Sequence, residues 1–278
     1  MVLVATGVDV GPALPPEGFA AVNAGYVHSC AVRVAGALVC WGDDDFGQVS
    51  PPTGEFVDVA TGYWHACAVR RDSTITCWGS DEQGQASAPH GEFATVTAGK
   101  WHTCALRTDG AAACWGWDAH GEASPPPGPF AALEAGAYHT CGIRRGGSVD
   151  CWGSNSNRRA TPPDGEFVAV SAGDAHTCAL RTDESVACWG AATFARTAPP
   201  AGRFTIVSAG DVHSCAVDVT RRVRCWGHGY DGRAAPPDGE FVAVSAGYWH
   251  TCGVRVDGTV TCWGDDTAGQ SSPPMLDT

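Results

Sequence analysis

Lysine and clustered basic residues are scarce in this sequence, which excludes two classes of protein. Lys100 is the only lysine among 278 residues, and acidic residues outnumber basic ones 30 to 17, for a formal net charge of -13. A nucleic-acid binder needs clustered Lys and Arg to neutralise phosphates, and a membrane-surface binder needs a similar basic patch. We therefore expect no nucleic-acid partner and no membrane partner.

Long apolar runs are also missing. No stretch approaches the roughly 18 consecutive apolar residues of a membrane-spanning helix. Residues 1–10, MVLVATGVDV, have no basic start and no long apolar centre, so they form no secretory signal as written. A leader peptide that was removed before this numbering begins is the open alternative. The helix formers Leu, Lys and Glu are scarce, whereas Val, Thr, Gly and Trp are plentiful, which indicates an all-β protein.

One unit is repeated seven times, with a period of 37 residues and no insertion between copies. Each unit opens with a phenylalanine: Phe19, Phe56, Phe93, Phe130, Phe167, Phe204 and Phe241. A glycine follows six residues later, and a histidine three residues after the glycine: His28, His65, His102, His139, His176, His213 and His250. The first cysteines are Cys30, Cys67, Cys104, Cys141, Cys178, Cys215 and Cys252, and the second set, ten residues on, is Cys40, Cys77, Cys114, Cys151, Cys188, Cys225 and Cys262.

The last unit predicts how each repeat folds. Residues 241–244, 250–255 and 259–263 read as three short strands, with a three-residue hairpin loop at 256–258. A period near 40 with a small sheet in each unit is typical of a propeller. We therefore predict one domain over residues 1–278, an all-β, seven-bladed β-propeller built from seven 37-residue repeats in a closed ring. Residues 1–12 are expected to supply a closing strand that pairs with the last blade.

The repeated residues resemble a known family. The unit is similar to the regulator of chromosome condensation repeat, which reads A-G-x-x-H-S/T-x-A-L and then D-G-x-V-x-x-W-G-x-N-x-x-G-Q. The resemblance spans roughly residues 15–274 and implies a seven-bladed propeller, and the cysteine-rich form resembles bacterial members of the family. It implies no single function, because the family includes a nucleotide exchange factor for a small GTPase, a plant UV-B photoreceptor and a secreted bacterial inhibitor of beta-lactamases. Arg158 and Ala195 replace its late glycine, which predicts altered loops in units four and five.

The hairpin register places the two cysteines of a unit opposite each other. With a three-residue loop, Val254 faces Val260 and Cys252 faces Cys262, at a site where Cα atoms approach to about 4.5 Å. Seven disulfides within the blades are one interpretation, and seven pairs of buried thiols are the other. Disulfides would indicate an oxidising compartment, so we expect an extracellular or cell-surface protein, with the cytoplasm as the alternative.

The sequence gives little support for a metal site or a catalytic site. His250, Cys252 and Cys262 could supply zinc ligands, but buried histidines hydrogen-bonded to backbone explain the repeat as well, and we expect no metal and no cofactor. The aspartates at 43–45 and 265–266 form either a calcium site or a solvated acidic surface. No nucleophile elbow, P-loop, HExxH or dinucleotide-binding motif occurs, so we expect no enzyme and no catalytic residue.

Partner-binding residues are expected where the seven copies differ from one another. The two positions between the repeated glycine and histidine vary, and from unit seven through units one to four they carry an aromatic arc, continuous across the ring closure. The candidate binding residues are Tyr26, Tyr63, Trp64, Lys100, Trp101, Tyr138, Asp174, Asp211, Tyr248 and Trp249. Tyr and Trp are typical of interface hot spots, although the same rings could instead pack between blades and close the tunnel.

The sequence thus predicts a non-enzymatic interaction module, a monomer that binds a protein partner, as an inhibitor does, through its Gly-x-x-His loops. The alternative is a carbohydrate-binding propeller whose aromatic residues stack on a glycan. A tryptophan UV photoreceptor fits less well, because seven of the eleven tryptophans belong to the repeated Trp-Gly position. A GTPase exchange factor has no supporting residue.

Overall fold

Seven small sheets around a central tunnel make up the protein. The structure is a computed structural model, and it describes residues 14–275. Within that range the chain forms seven three-stranded antiparallel sheets, each built from one 37-residue repeat. This confirms the all-β, seven-bladed propeller. The closing strand expected in residues 1–12 lies outside the described residues.

Each blade contains three strands in chain order, numbered outward from the tunnel. Blade 1 has β1 (Phe19–Ala24), β2 (His28–Arg33) and β3 (Leu38–Gly42); blade 2 has β4 (Phe56–Thr61), β5 (His65–Arg70) and β6 (Ile75–Gly79). Blade 3 has β7 (Phe93–Ala98), β8 (His102–Arg107) and β9 (Ala112–Gly116); blade 4 has β10 (Phe130–Ala135), β11 (His139–Arg144) and β12 (Val149–Gly153). Blade 5 has β13 (Phe167–Ala172), β14 (His176–Arg181) and β15 (Val186–Gly190); blade 6 has β16 (Phe204–Ala209), β17 (His213–Asp218) and β18 (Val223–Gly227). Blade 7 has β19 (Phe241–Ala246), β20 (His250–Arg255) and β21 (Val260–Gly264).

Short 3-10 turns follow the third strands of blades 4, 5 and 6, at Ser156–Arg158, Thr193–Ala195 and Tyr230–Gly232. The altered loops predicted for units four and five are therefore present, and unit six shares them although it keeps Gly232. In residues 14–275, no helix has the length and apolar character needed to cross a membrane.

A three-residue hairpin loop joins the second and third strands of each blade, as the sequence predicts. In blade 7, Val254 pairs with Val260, and Gly258 ends the loop with a φ of 82°. Blades 2, 5 and 6 place other residues in this left-handed position: Ser73, Glu184 and Arg221. A left-handed conformation costs a non-glycine residue roughly 1–2 kcal/mol, so the sheet imposes this geometry against local preference.

All fourteen cysteines pair within their own blades. Each disulfide joins opposed residues of the second and third strands, whose Cα atoms lie 4.0–4.1 Å apart. The pairs are Cys30–Cys40, Cys67–Cys77, Cys104–Cys114, Cys141–Cys151, Cys178–Cys188, Cys215–Cys225 and Cys252–Cys262. The disulfide interpretation is thus confirmed over the buried thiols. Because a metal binds the thiolate form of cysteine, a cystine sulfur is not available as a zinc ligand.

The opening phenylalanines lie in the packed layers between blades, each at most 2% exposed. In six blades the arginine that ends the second strand covers the phenylalanine ring, as Arg107 does with its Cζ 4.8 Å from the centre of Phe93. A cation over a ring face adds to the stability gained from burying the ring. In blade 6 Asp218 occupies the arginine position, and it accepts side-chain hydrogen bonds from Thr220 and Arg224.

Buried histidines connect each blade to the next. In six joints the histidine Nε2 lies 2.7–2.9 Å from a Ser or Thr hydroxyl of the following blade. In the joint between His65 and Thr103, the threonine hydroxyl donates to the carbonyl of Gln85, so it accepts the Nε2 proton. The expectation that these histidines bond to backbone is therefore wrong: Nε2 meets a hydroxyl of the next repeat. Five of the six rings have an Nδ1 atom without a hydrogen-bond partner among the described residues: His65, His139, His176, His213 and His250.

The joint between blades 7 and 1 uses the same contacts, so the ring closes like any other joint. The Nε2 atom of His250 lies 2.7 Å from the Oγ of Ser29. The Nε1 atom of Trp41 donates to the carbonyl of Gln270 at 2.9 Å, as Trp78 does to the carbonyl of Gln48 in the next joint. The first described strand thus packs directly on the last blade.

One joint lacks the hydroxyl, and this predicts a stabilising substitution. Ala66 stands where the six other blades carry Thr or Ser. Both ring nitrogens of the fully buried His28 are without a hydrogen-bond partner among the described residues. Ala66→Ser supplies the missing hydroxyl and is expected to raise the free energy of unfolding by about 1 kcal/mol, because an unmet buried donor is costly. Chemical denaturation measures the change. Ala68→Ser, which buries a hydroxyl away from His28, is the matched control and is expected to destabilise the protein.

Candidate protein-binding face

The variable Gly-x-x-His loops and the loops after each Trp-Gly lie at one end of the strands. In blade 1, residues 25–27 join β1 to β2, and β3 runs antiparallel to β2, so it ends beside this loop. We name this end of the propeller the upper face. The hairpin loops, such as residues 34–36, lie at the opposite end, the lower face. All ten candidate binding residues therefore lie on the upper face.

An inner ring of side chains covers the upper mouth of the tunnel. The Tyr26 and Tyr63 rings stack with their centres 4.6 Å apart, and Tyr248 meets Tyr26 edge-on at 4.7 Å. Lys100 places its Nζ 4.6 Å from the ring centres of both Tyr63 and Trp101. These contacts hold the only lysine of the sequence against the aromatic arc, where its ammonium gains cation–π attraction.

Larger aromatic residues continue the arc outward over neighbouring blades. Trp249 contacts Tyr248 at 4.6 Å, Trp64 stacks on Trp101 at 6.3 Å, and Trp101 meets Tyr138 at 6.2 Å. With the inner ring, these contacts form one continuous arc from blade 7 across the closure to blade 4, as the sequence predicts. Its binding role stays a prediction. All of these rings are partly exposed, so they pack on one another and still present surface to solvent.

Sequence comparison of the repeats missed several aromatic residues of the upper face. Phe46 is 44% exposed and lies 5.9 Å from Trp64. Phe194 and Tyr230 are 58% and 71% exposed, on the loops of blades 5 and 6, where His228 contacts both rings. The sequence could have indicated these three residues, because all of them lie in the loop after Trp-Gly, at positions that also differ between copies.

Acidic side chains complete the inner ring on blades 5 and 6. Asp211 is 8% exposed, and burial, together with the neighbouring carboxyl of Asp174, raises the pKa of Asp211 to about 7. The nearby arginines bind backbone instead: Arg159 donates to the carbonyl of Asp174 at 2.7 Å and Arg196 to the carbonyl of Asp211 at 2.9 Å. Burial, with Asp174 next, also raises the pKa of Tyr63 above its usual range.

Below the mouth, the tunnel contains a polar cavity of about 120 Å³. Small side chains from successive blades line it and connect the blades, as when Ser171 Oγ accepts a hydrogen bond from the amide of Ala209 at 2.9 Å. Glu134 is the one carboxyl among the described lining residues. Desolvation raises the pKa of Glu134 to about 7, so its charge in the tunnel depends on pH near neutrality.

The aspartates of the acidic loops stabilise the conformation of those loops. Asp43 accepts hydrogen bonds from the side chain of Gln48 at 2.6 Å and from the amide of Asp45 at 3.2 Å. Asp265 binds Gln270 in the same way, at 2.7 Å. Across residues 14–275, no three His, Cys, Asp or Glu side chains are grouped so as to hold a metal ion.

Arginines replace this glutamine in blades 4, 5 and 6, where the 3-10 turns occur. Arg233 is 1% exposed, donates to the carbonyl of Tyr248 at 3.1 Å and lies over the Trp249 ring at 4.6 Å. These contacts fix the long Arg233 side chain, which therefore positions the Gly-x-x-His loop of the following blade.

These features define the class of the protein as a disulfide-rich, seven-bladed β-propeller with a variable loop face. The model of the regulator of chromosome condensation (RCC1) repeat matches the chain seven times, at residues 19–48, 56–85, 93–122, 130–159, 167–194, 204–233 and 241–270. The chain belongs to this repeat family, as the sequence resemblance predicts. Propellers of this family commonly mediate protein interactions.

Solved structures show the same fold. The entire ectodomain of the receptor kinase CR4 from Physcomitrella patens is 26% identical, with a TM-score of 0.77 over 89% of this chain and 74% of that one. The CRINKLY WD40 ectodomain of the receptor kinase ACR4 from Arabidopsis thaliana is 23% identical, with a TM-score of 0.75 over 89% and 97%. Prp20p from Saccharomyces cerevisiae, whose binding to Gsp1p and histones has been described, is 16% identical, with a TM-score of 0.71 over 83% and 80%. No curated protein matches the sequence.

Proposed function

We propose that this propeller is a non-enzymatic module that binds a protein partner through the aromatic arc of its upper face. The observation that carries the proposal is the continuous run of partly exposed rings from Trp249 to Tyr138. Aromatic side chains bury large areas at small cost in side-chain entropy and dominate interface energetics. The loops that carry them sit on a closed ring in which every blade has its own disulfide, and such a rigid scaffold loses little freedom on binding.

The arc exceeds what tunnel closure requires. The inner ring of Tyr26, Tyr63, Lys100 and Tyr248 covers the tunnel mouth, whereas Trp64, Trp101 and Trp249 lie beside it. Phe46 adds a further exposed ring against Trp64. Exposed aromatic patches on a soluble protein mark interaction sites, so these outer rings are the residues assigned to the partner.

An extracellular or cell-surface location fits the chemistry. Seven intramolecular disulfides are typical of proteins from oxidising compartments, and two of the similar solved structures are receptor ectodomains. We place the partner accordingly among proteins that share such a compartment.

The proposal predicts that truncating the outer rings abolishes partner capture. The triple substitution Trp64→Ala, Trp101→Ala and Trp249→Ala is expected to weaken binding at least about 1000-fold, because each hot-spot ring contributes about 2 kcal/mol or more. Immobilised wild-type and variant propellers are compared for capture of proteins from the extracellular fraction of the source organism, and the captured protein is titrated by calorimetry.

Val34→Ala with Val219→Ala is the matched control, because these side chains are 39% and 48% exposed on the lower face. Phe46→Ala, at an exposed loop tip, tests the same surface if the triple variant folds poorly. Full binding by both upper-face variants would refute the assignment of this face. Binding of a glycan array by the wild type, with no protein captured, would favour the carbohydrate-binding alternative.

A further inference from the structure

The mouth of the tunnel contains a small cavity with two unlike walls. Its volume is about 80 Å³. Tyr26, Tyr63 and Tyr248 line it on blades 1, 2 and 7, Lys100 lines it on blade 3, and Asp174 and Asp211 line it on blades 5 and 6. Blade 6 adjoins blade 7, so the carboxyl side chains follow directly on the tyrosine rings around the mouth.

Within residues 14–275 the carboxyl of Asp211 forms no ion pair with a Lys or Arg side chain, although Arg196 and Arg233 lie near enough to lower its pKa. Asp211 is 8% exposed, and its carboxyl is hydrogen-bonded to the carboxyl of Asp174. The guanidinium groups of Arg159 and Arg196 are committed to backbone carbonyls. A buried carboxyl in contact with another carboxyl is costly to ionise, and a cation entering the cavity lowers that cost.

The aromatic wall suits an ammonium group. Lys100 already shows this chemistry in the same ring, with its Nζ 4.6 Å from the centres of Tyr63 and Trp101 and 5.1 Å from that of Tyr138. Ring faces attract cations most strongly where water is excluded. Carboxylates on one side attract an ammonium group by charge, and ring faces on the other side attract it by cation–π interaction.

We propose that this cavity receives the ammonium group of a lysine side chain projecting from the protein partner. The inference rests on the proposed function of the upper face and names the chemistry at its centre. Charge favours it, since the chain carries a formal net charge of -13 and a basic partner is steered toward it.

The test uses butylammonium as the probe and 1-butanol as its neutral counterpart, titrated into the full chain and followed by NMR. We expect saturable binding of butylammonium and none of butanol. Asp211→Asn is expected to weaken binding at least tenfold, whereas Asp164→Asn, on an exposed segment at the lower face, leaves it unchanged. Equal binding of butanol, or full binding by Asp211→Asn, would overturn the inference.

Binding should also strengthen as pH rises. The groups that act on Asp211 are Asp174, whose carboxyl raises its pKa, and Arg196 and Arg233, which lower it. Tyr63 and Tyr248 face it with raised pKa values of their own, so they stay neutral. With Asp211 ionised above about pH 7, affinity at pH 8 is expected to exceed that at pH 6 by about tenfold, and a flat profile would contradict the role of Asp211.

These experiments can refute the lysine site and the proposed function independently of each other. If the tryptophan variants lose the captured partner but butylammonium does not bind, the protein-binding face stands and the lysine site is refuted. If butylammonium binds and displaces the captured partner, the cavity belongs to the interface. If it binds without displacing the partner, the lysine side chain of the partner is not its occupant.

Discussion

Reducing the seven disulfides is expected to lower the melting temperature by about 20 °C or more. A disulfide that closes a ten-residue loop stabilises by about 3 kcal/mol in the chain-entropy model, so the seven bonds contribute on the order of 20 kcal/mol. That exceeds the roughly 5–15 kcal/mol by which domains are usually stable. Calorimetry in reduced dithiothreitol, against the same concentration of oxidised dithiothreitol, measures the change.

Two controls make this result specific. Intact mass after alkylation establishes that fourteen thiols are free in the reduced sample and none in the oxidised one. The double substitution Cys104→Ala and Cys114→Ala, which removes a single bond, is expected to cost about 3 kcal/mol. An unchanged melting temperature with fourteen free thiols would show that the core alone holds the ring.

Acid is expected to unfold the propeller between about pH 6 and pH 4, because the seven joint histidines are buried and neutral. Burial lowers the pKa of His28 and His102 to about 4, and lowers that of His65, His176, His213 and His250 to about 3. The pKa of His139 is also lowered well below 6.5 by burial. Below about pH 6.5 the histidines of the unfolded chain bind protons, whereas the buried histidines of the folded protein stay neutral. Their contribution to stability is therefore present above that pH and is lost as the pH falls.

Two carboxyl groups partly offset the histidines. Burial raises the pKa of Glu134 and of Asp211 to about 7, so near pH 5.5 the folded protein holds two protons that the unfolded chain has released. The net uptake on unfolding is then about five protons, which corresponds to roughly 7 kcal/mol per pH unit. The pH dependence of the unfolding constant measures this number.

A single substitution tests the assignment of these protons to the joints. His28→Gln, at the joint without a hydroxyl, is expected to reduce the uptake by about one proton. The wild-type protein is the reference, because it keeps all seven repeated histidines. An uptake that is the same for the wild type and for His28→Gln would contradict the account of acid unfolding.

The fold was predictable because the period carries most of the information. An unbroken spacing of 37 residues gives every blade the same register, so one hairpin predicts that the two cysteines lie opposite each other in all seven blades. Ring closure makes blade 7 a neighbour of blade 1. The same reasoning predicts the arc, since Tyr248 and Tyr26 occupy equivalent positions on adjacent blades and meet at 4.7 Å.

What the sequence missed depends on contacts between different repeat positions. The bond from the His65 ring to Thr103 joins positions 38 residues apart, so it crosses a joint and is invisible within one unit. The same holds for Arg196, whose side chain reaches the backbone of Asp211. The contact between Asp174 and Asp211 depends on the ring geometry, because each alone is an ordinary loop residue.

Photo-crosslinking from the two faces tests the central claim most directly. Benzoylphenylalanine is placed at Phe46, 44% exposed on the upper face, or at Val219, 48% exposed on the lower face, and each protein is irradiated in the extracellular fraction of the source organism. Since exposure is matched, only the identity of the face differs. We expect a crosslinked protein from position 46 and none from position 219; crosslinking from position 219 alone, or equally from both, would contradict a binding site on the upper face.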